Sequence, residues 1–219
     1  MPRPVSRCPN DDLLLDYAAG GLAPGWALVV ACHLTVCPAC RARAAAFDAL
    51  GAAAVSALPA DEIDEAAFDR CLARLDAPPP CETSAKAKPG AAGDLLPACL
   101  RALVGGDLGA VRWRSIGRGM RQAILPVDGA AMPRLLHLAE GVAVPAHGHG
   151  GRELTLVLAG GFHDGPEGFG PGDLQDSDET VEHAPVVDAG GPCICLTATD
   201  APLRFQGLLP RLFQRFVRL

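Results

Sequence analysis

Two groups of residues in this chain have the types and spacing that hold metal ions. The first is His33-Leu-Thr-Val-Cys37-Pro-Ala-Cys40. A Cys-x-x-Cys turn lets two thiolates point at one ion. His33 lies four residues before Cys37, one helical turn back on the same face. One imidazole and two thiolates are three ligands of a tetrahedral zinc site, and a structural site takes a fourth. Cys8, just before the first expected helix, is the candidate. Cys32 is the rival, although as the neighbour of His33 it would point to another face of a helix. The second group is His147-Gly-His149-Gly-Gly-Arg-Glu153, with His183 further on. Residues two apart on a strand face the same way. Three imidazoles and a carboxylate converging inside a small barrel make a site for a second divalent metal, expected to be zinc as well.

Each group has a plainer reading. A Cys-x-x-Cys can be a redox motif, but that motif is expected near a βαβ unit and the surroundings here are helical. The histidines of the second group can be exposed loop residues beside glycines, but Glu153 and His183 complete a ligand set too well for that. His137 and His163 lie outside the pattern and read as ordinary strand or loop residues, and Arg152 as a solvated side chain. Cys193-Ile-Cys195 places two thiols on one strand face, where cysteines usually act as small buried hydrophobes. An oxidative signal there would need a lowered pKa and access. Cys71, Cys81 and Cys99 belong to no pattern, and Cys81 is expected to be exposed.

The elements that must position these groups divide the chain of 219 residues into unlike parts. Residues 1–76 read as four helices. Asn10 caps the first, with Asp11 and Asp12 in its opening turn, and Gly20-Gly21 ends it. Pro24 begins the second, through Leu34, and Pro38 the third, through Ala57. The fourth, 61–75, sets Ile63, Ala67, Cys71 and Leu75 on one stripe beside Phe68 and Leu72. Asp61, Glu62, Asp64, Glu65 and Asp69 oppose it. Residues 77–94 carry no large apolar side chain and read as a linker. Residues 95–219 alternate or run apolar in short pieces between Gly-rich turns, as in a sandwich or barrel. The expected strands are Ala110–Ile116, Arg121–Val127, Arg134–Leu138, Leu154–Leu158 and Cys193–Thr199. For the tail from Leu208 to Leu219, with three arginines among apolar residues, a membrane-surface helix is one reading, but docking on the barrel is expected instead, because Pro210 spoils a long helix.

Residues 8–76, with His-x3-Cys-x2-Cys between two short helices and the run Leu13-Leu-Leu-Asp-Tyr-Ala-Ala-Gly20, resemble the zinc-binding anti-sigma domain of bacteria. In that family an upstream His commonly supplies the fourth ligand; here Cys8 stands at the matching place. The pattern His147-x-His149-x3-Glu153, then Pro171-Gly172-Asp173 and His183, resembles a cupin. The two parts in this order, together with Cys193 to Phe205, are similar to the ChrR-type anti-sigma factors. The resemblance implies a zinc-stabilised four-helix domain followed by an all-β jelly-roll barrel. It also implies binding and inhibition of an extracytoplasmic-function, RpoE-type sigma factor, with release on singlet oxygen or organic hydroperoxide stress.

Charge supports this reading and excludes others. The chain carries a net charge of −6, and its first 76 residues hold ten acidic against six basic side chains. Such a domain is a poor DNA binder but suits competition for basic surfaces. Direct nucleic-acid binding is therefore not expected, and a zinc-dependent DNA-binding regulator is disfavoured. The apolar run Trp26 to Cys32 is far too short to span a bilayer, which takes about 20 residues. The opening residues lack an apolar signal core, so a cytoplasmic location is expected. The alternative function is a metal-dependent cupin oxygenase or isomerase. Against it, no further acid, base or nucleophile is spaced near the second metal set, and no catalytic residue is assigned.

Overall fold

The computed structural model describes residues 4–60, 62–64, 66–76 and 94–205. Linker residues 77–93 with Cys81, the tail from 206 onward, and Asp61 and Glu65 lie outside the described residues. Three helices follow as expected: α1 (Asp11–Ala18), α2 (Pro24–Val36) and α3 (Pro38–Ser56). The Asn10 side chain accepts the Leu13 N–H at 2.8 Å, and Gly20 adopts φ +71° just beyond the end of α1. The fourth helix, α4 (Ala66–Asp76), starts later than 61. Asp64 stops it from starting earlier: its side chain accepts the Ala66 N–H at 3.0 Å, and its carbonyl accepts the Ala67 N–H at 2.7 Å. A short helix, α5 (Ala98–Val104), opens the second part.

Among the described residues twelve strands follow: β1 (Arg114–Gly117), β2 (Met120–Ile124), β3 (Met132–Leu138), β4 (His147–His149), β5 (Glu153–Ala159), β6 (Phe162–Asp164), β7 (Glu167–Phe169), β8 (Leu174–Ser177), β9 (Glu182–His183), β10 (Val186–Val187), β11 (Cys193–Thr199) and β12 (Leu203–Phe205). They form a six-stranded sheet, β1-β2-β3-β11-β5-β8, and two three-stranded sheets, β10-β6-β7 and β12-β4-β9. All pairings between these strands are antiparallel. The fold is the one the sequence predicts, a helical metal-ligand region followed by an all-β barrel. The expected strand from Ala110 begins only at Arg114, because Leu108–Ala110 form a 3-10 turn. Asp107 anchors that turn by accepting the Leu95 and Leu96 N–H groups at 3.0 and 2.8 Å.

Helices α1, α2 and α5 are not held apart from the barrel. Leu13, Leu14, Val29, Val30 and Leu100 share one core with Leu135, Leu154, Leu156, Leu196 and Ala198 of the large sheet. This explains why β11 reads as a continuous run: both of its faces are buried. Leu196 and Ala198 meet the helices, while Cys195 and Thr197 line the barrel interior. Arg152, expected to be solvated, instead grips Asp176 through two bonds of 2.8 and 2.6 Å. Its guanidinium lies 5.9 Å from the centre of the Trp26 ring of α2. An arginine facing a carboxylate fork and an aromatic face at once has little reason to remain in water.

Candidate metal centres

The ligand atoms of Cys8, His33, Cys37 and Cys40 all lie within 4.8 Å of one another. Cys37 ends α2 and caps α3, and Pro38 starts α3 immediately. The thiol of Cys37 thus faces the first N–H groups of α3, those of Ala39 and Cys40. Burial raises its pKa, but these donors and its thiol neighbours outweigh burial and bring it down. Burial and the neighbouring thiols of Cys8 and Cys37 push Cys40 up to about 12. Three thiols crowded in this way need a cation before all can ionise. His33 is fully buried, and burial lowers its pKa, so the ring is neutral. Its Nδ1 stands 2.9 Å from the Gly172 carbonyl and donates to it. Nε2 is then left with a lone pair, buried and without a hydrogen-bond partner. A neutral imidazole aimed at three thiols with an orphaned nitrogen fits a zinc ion. Cys32 is not part of the group. Its sulfur lies 3.2 Å from that of Cys99 on α5.

The barrel supplies the supports of this first group. Pro171-Gly172-Asp173 is the turn between β7 and β8, and Gly172 holds φ +89° with its carbonyl on His33. Asp173 accepts the Ser6 N–H at 2.6 Å and the Arg7 N–H at 2.9 Å, directly before Cys8. The Leu174 N–H donates back to the Arg7 carbonyl at 3.0 Å. Sequence reasoning read this turn only as a barrel motif. No spacing signal connects it to Cys8, which lies more than 160 residues away.

The second group also assembles, with ligand atoms of His147, His149, Glu153 and His183 within 4.8 Å of one another. β4 carries the first two, β5 begins with Glu153, and β9 pairs with β4 so that His183 stands opposite His147. His147 Nδ1 donates to the Pro145 carbonyl at 2.9 Å, and His183 Nδ1 donates to Asp164 at 2.8 Å. Each ring therefore turns an Nε2 lone pair inward, and these two nitrogens are 3.0 Å apart. His149 Nε2 is 3.1 Å from that of His183, and its Nδ1 is 3.7 Å from Glu153. Burial drives His147 and His149 down to about 4, so the rings face one another unprotonated near neutrality. Burial raises Glu153 to about 7, a tendency the Arg134 charge opposes. Lone pairs converging on one point beside a buried carboxyl fit a divalent cation. Asp164, which sets the ring of His183, is a supporting residue of this candidate site that the sequence did not point to.

The group opens into a cavity of about 560 Å³ lined by Ile116, Met120, Leu138, Phe162 and Val187, with Cys195 in its wall. Cys193 and Cys195 are both buried, 3.4 Å apart at sulfur. His137 packs edge-on against Trp113, and exposed His163 pairs with Asp188 at 2.8 Å, so neither joins the ligand set.

The fold and the two ligand sets define a class: a helical Cys/His metal module packed on a cupin barrel. The ChrR cupin-like domain model matches residues 102–201. Anti-sigma-E factor ChrR of Cereibacter sphaeroides is 47% identical over 214 residues, covering 96% of this chain and 97% of that protein. The chain belongs to the ChrR anti-sigma factor family. It also matches the crystal structure of Rhodobacter sphaeroides SigE in complex with the anti-sigma ChrR, with a TM-score of 0.78 and 44% identity, over 90% of this chain and 99% of that one.

Proposed function

We propose that this chain is an anti-sigma factor that binds an extracytoplasmic-function sigma factor of the RpoE type and withholds it from RNA polymerase. The observation that carries this reading is the full-length match to ChrR, including its solved complex with SigE. The surface agrees. On α4 and just before it, Ile63, Phe68, Leu72 and Leu75 are exposed by 81, 69, 44 and 81%. Leu50, Val55 and Leu58, along and just after the far end of α3, are exposed as well. An amphipathic helix with its apolar stripe in water is built for a partner's groove. The test is co-purification of a sigma factor with the chain from its host, paired with sigma-dependent transcription in vitro; full transcription at excess chain would overturn the reading.

Cys8, His33, Cys37 and Cys40 hold zinc, which stabilises the helical module. His147, His149, Glu153 and His183 hold a second divalent ion, taken to be zinc. The working units are 1–76 and 95–219, joined by 77–94. The chain acts in the cytoplasm as a regulator rather than an enzyme; no helix among the described residues is long and apolar enough to cross a membrane. The barrel reads singlet oxygen or an organic hydroperoxide, and the sigma factor is released. β8 supports such a link. Gln175 on this strand bonds Asp164 at 3.0 Å, beside His183, while Asp173 just before it holds Ser6 and Arg7. A cupin oxygenase or isomerase stays as the second reading because the metal set opens into an apolar cavity. Turnover of a small apolar substrate by iron-loaded protein would favour it.

A further inference from the structure

Cys32 on α2 and Cys99 on α5 flank the segment 77–93 in sequence, yet their sulfurs are 3.2 Å apart. Neither belongs to a metal-ligand group, so both remain thiols when the centres are filled. We infer that Cys32 and Cys99 form a redox-active pair that a hydroperoxide closes into a disulfide, stapling the helical module to the barrel domain. The sulfurs need to approach by only about 1.1 Å to reach bonding distance, within reach of side-chain rotation.

The two positions divide the chemistry. Cys32 is completely buried, whereas Cys99 is partly exposed and meets an oxidant first. The Cys32 thiol donates to Cys99 and brings its pKa down to about 7 against the effect of burial; the Leu100 and Cys99 N–H groups and Arg101 add to this. A thiol of this kind is substantially ionised near neutrality. The Cys99 thiolate attacks the outer oxygen of the hydroperoxide. An S–O bond forms, the O–O bond breaks, and the leaving alkoxide takes a proton to become an alcohol. Cys32 then attacks the sulfenic sulfur of Cys99. The S–S bond forms, the S–O bond breaks, and water leaves with the Cys32 proton. Two thiols are oxidised by two electrons, and one hydroperoxide is reduced. The bond fixes α2 against α5, so oxidation here locks the two parts together rather than freeing them. This inference stands apart from the proposed sigma-factor binding.

The test uses the full-length, metal-loaded chain and hydrogen peroxide. Free thiols are alkylated, the protein is digested with trypsin without reduction, and linked peptides are sequenced by fragmentation. Peptides 8–41 and 87–101 should appear joined, with fragment ions placing the bond on Cys32 rather than Cys8, Cys37 or Cys40. The link should vanish in Cys99→Ala. In Cys32→Ser, whose hydroxyl keeps a donor to Cys99 but cannot resolve it, Cys99 should instead accumulate as a sulfenic acid that dimedone traps. Oxidised wild-type protein should melt higher than reduced protein, and Cys99→Ala should show no such rise. If peroxide oxidises other thiols while Cys32 and Cys99 both remain open to alkylation, the inference is overturned. Absence of a dimedone adduct on Cys99 in Cys32→Ser would also overturn it.

Discussion

His33 receives its orientation from the Gly172 carbonyl, and Cys8 follows two residues whose N–H groups end on Asp173. Asp173 is buried, and its pKa is lowered because the Gly170, Ser6 and Arg7 N–H groups outweigh the cost of burial. A folded pKa below the unfolded value gives stability that is present above the unfolded value, about 3.8, and lost as pH falls through the folded one. Asp173→Ala leaves buried donors unpaired, at a cost of about 1–3 kcal/mol. Metal held at the first centre should also pass to a chelator faster than in wild type, while Asp173→Asn keeps part of both effects. Chelator competition and melting curves check this; unchanged metal retention in Asp173→Ala would remove the barrel turn from the first centre. Elemental analysis of protein prepared without chelator should find about two ions per chain. Replacing both Cys37 and Cys40 should remove one ion and leave the other. Loss of both would mean that the centres are not independent.

At the scale of elements, α2 lies flush on the large sheet because Gly25 has no side chain. A Cβ there would overlap the Ala131 carbonyl and press on Pro133. Gly25→Ala should therefore shift α2 outward and cost about 1–3 kcal/mol, read from chemical denaturation, despite the better helix propensity of Ala. A neutral result would mean that the helix glides freely on the sheet. α4 predicts the opposite behaviour. Phe68 and Leu72 are exposed and lie outside the shared core, so Phe68→Asp and Leu72→Asp should leave stability within about 0.5 kcal/mol of wild type. Together they should weaken sigma-factor binding by about tenfold to a hundredfold in calorimetry. Loss of folding with retained binding would assign α4 to the core instead.

For the whole molecule, the shared core decides how the parts can be separated. A fragment of residues 1–85 keeps the first ligand set and the exposed stripe, and it should still hold the sigma factor. It also bares Val29, Val30 and Cys32, which the intact chain covers completely. The fragment should therefore aggregate more readily than the full chain at equal concentration, measured by light scattering. Replacing His147, His149, Glu153 or His183 should leave repression intact and abolish release by singlet oxygen in a transcription assay. A signal in the barrel works only if it favours a state in which the helical module grips less tightly. A truncated protein that fails to repress, or barrel variants that still release the sigma factor, would contradict this division.

Local spacing in the sequence determined the ligand chemistry. His33 to Cys37 is one helical turn, and His147 to His149 is one strand repeat, so each of these pairs is brought together before any tertiary contact forms. Caps and prolines marked α1 to α3 for the same reason: their hydrogen bonds close within a few residues. What connects distant segments was not legible. The exception is Cys8, favoured over Cys32 for the fourth place, which stands with His33, Cys37 and Cys40. Cys32 meets Cys99, Arg152 meets Asp176 and Trp26, and Asp173 anchors the segment before Cys8. The linker composition pointed to two separate bodies, whereas the structure joins α2 to the sheet through one core. Burial decides such contacts, because a buried polar group must find a partner wherever the fold supplies one. That partner depends on how the helical module and the barrel pack together, which neither part's own residues specify.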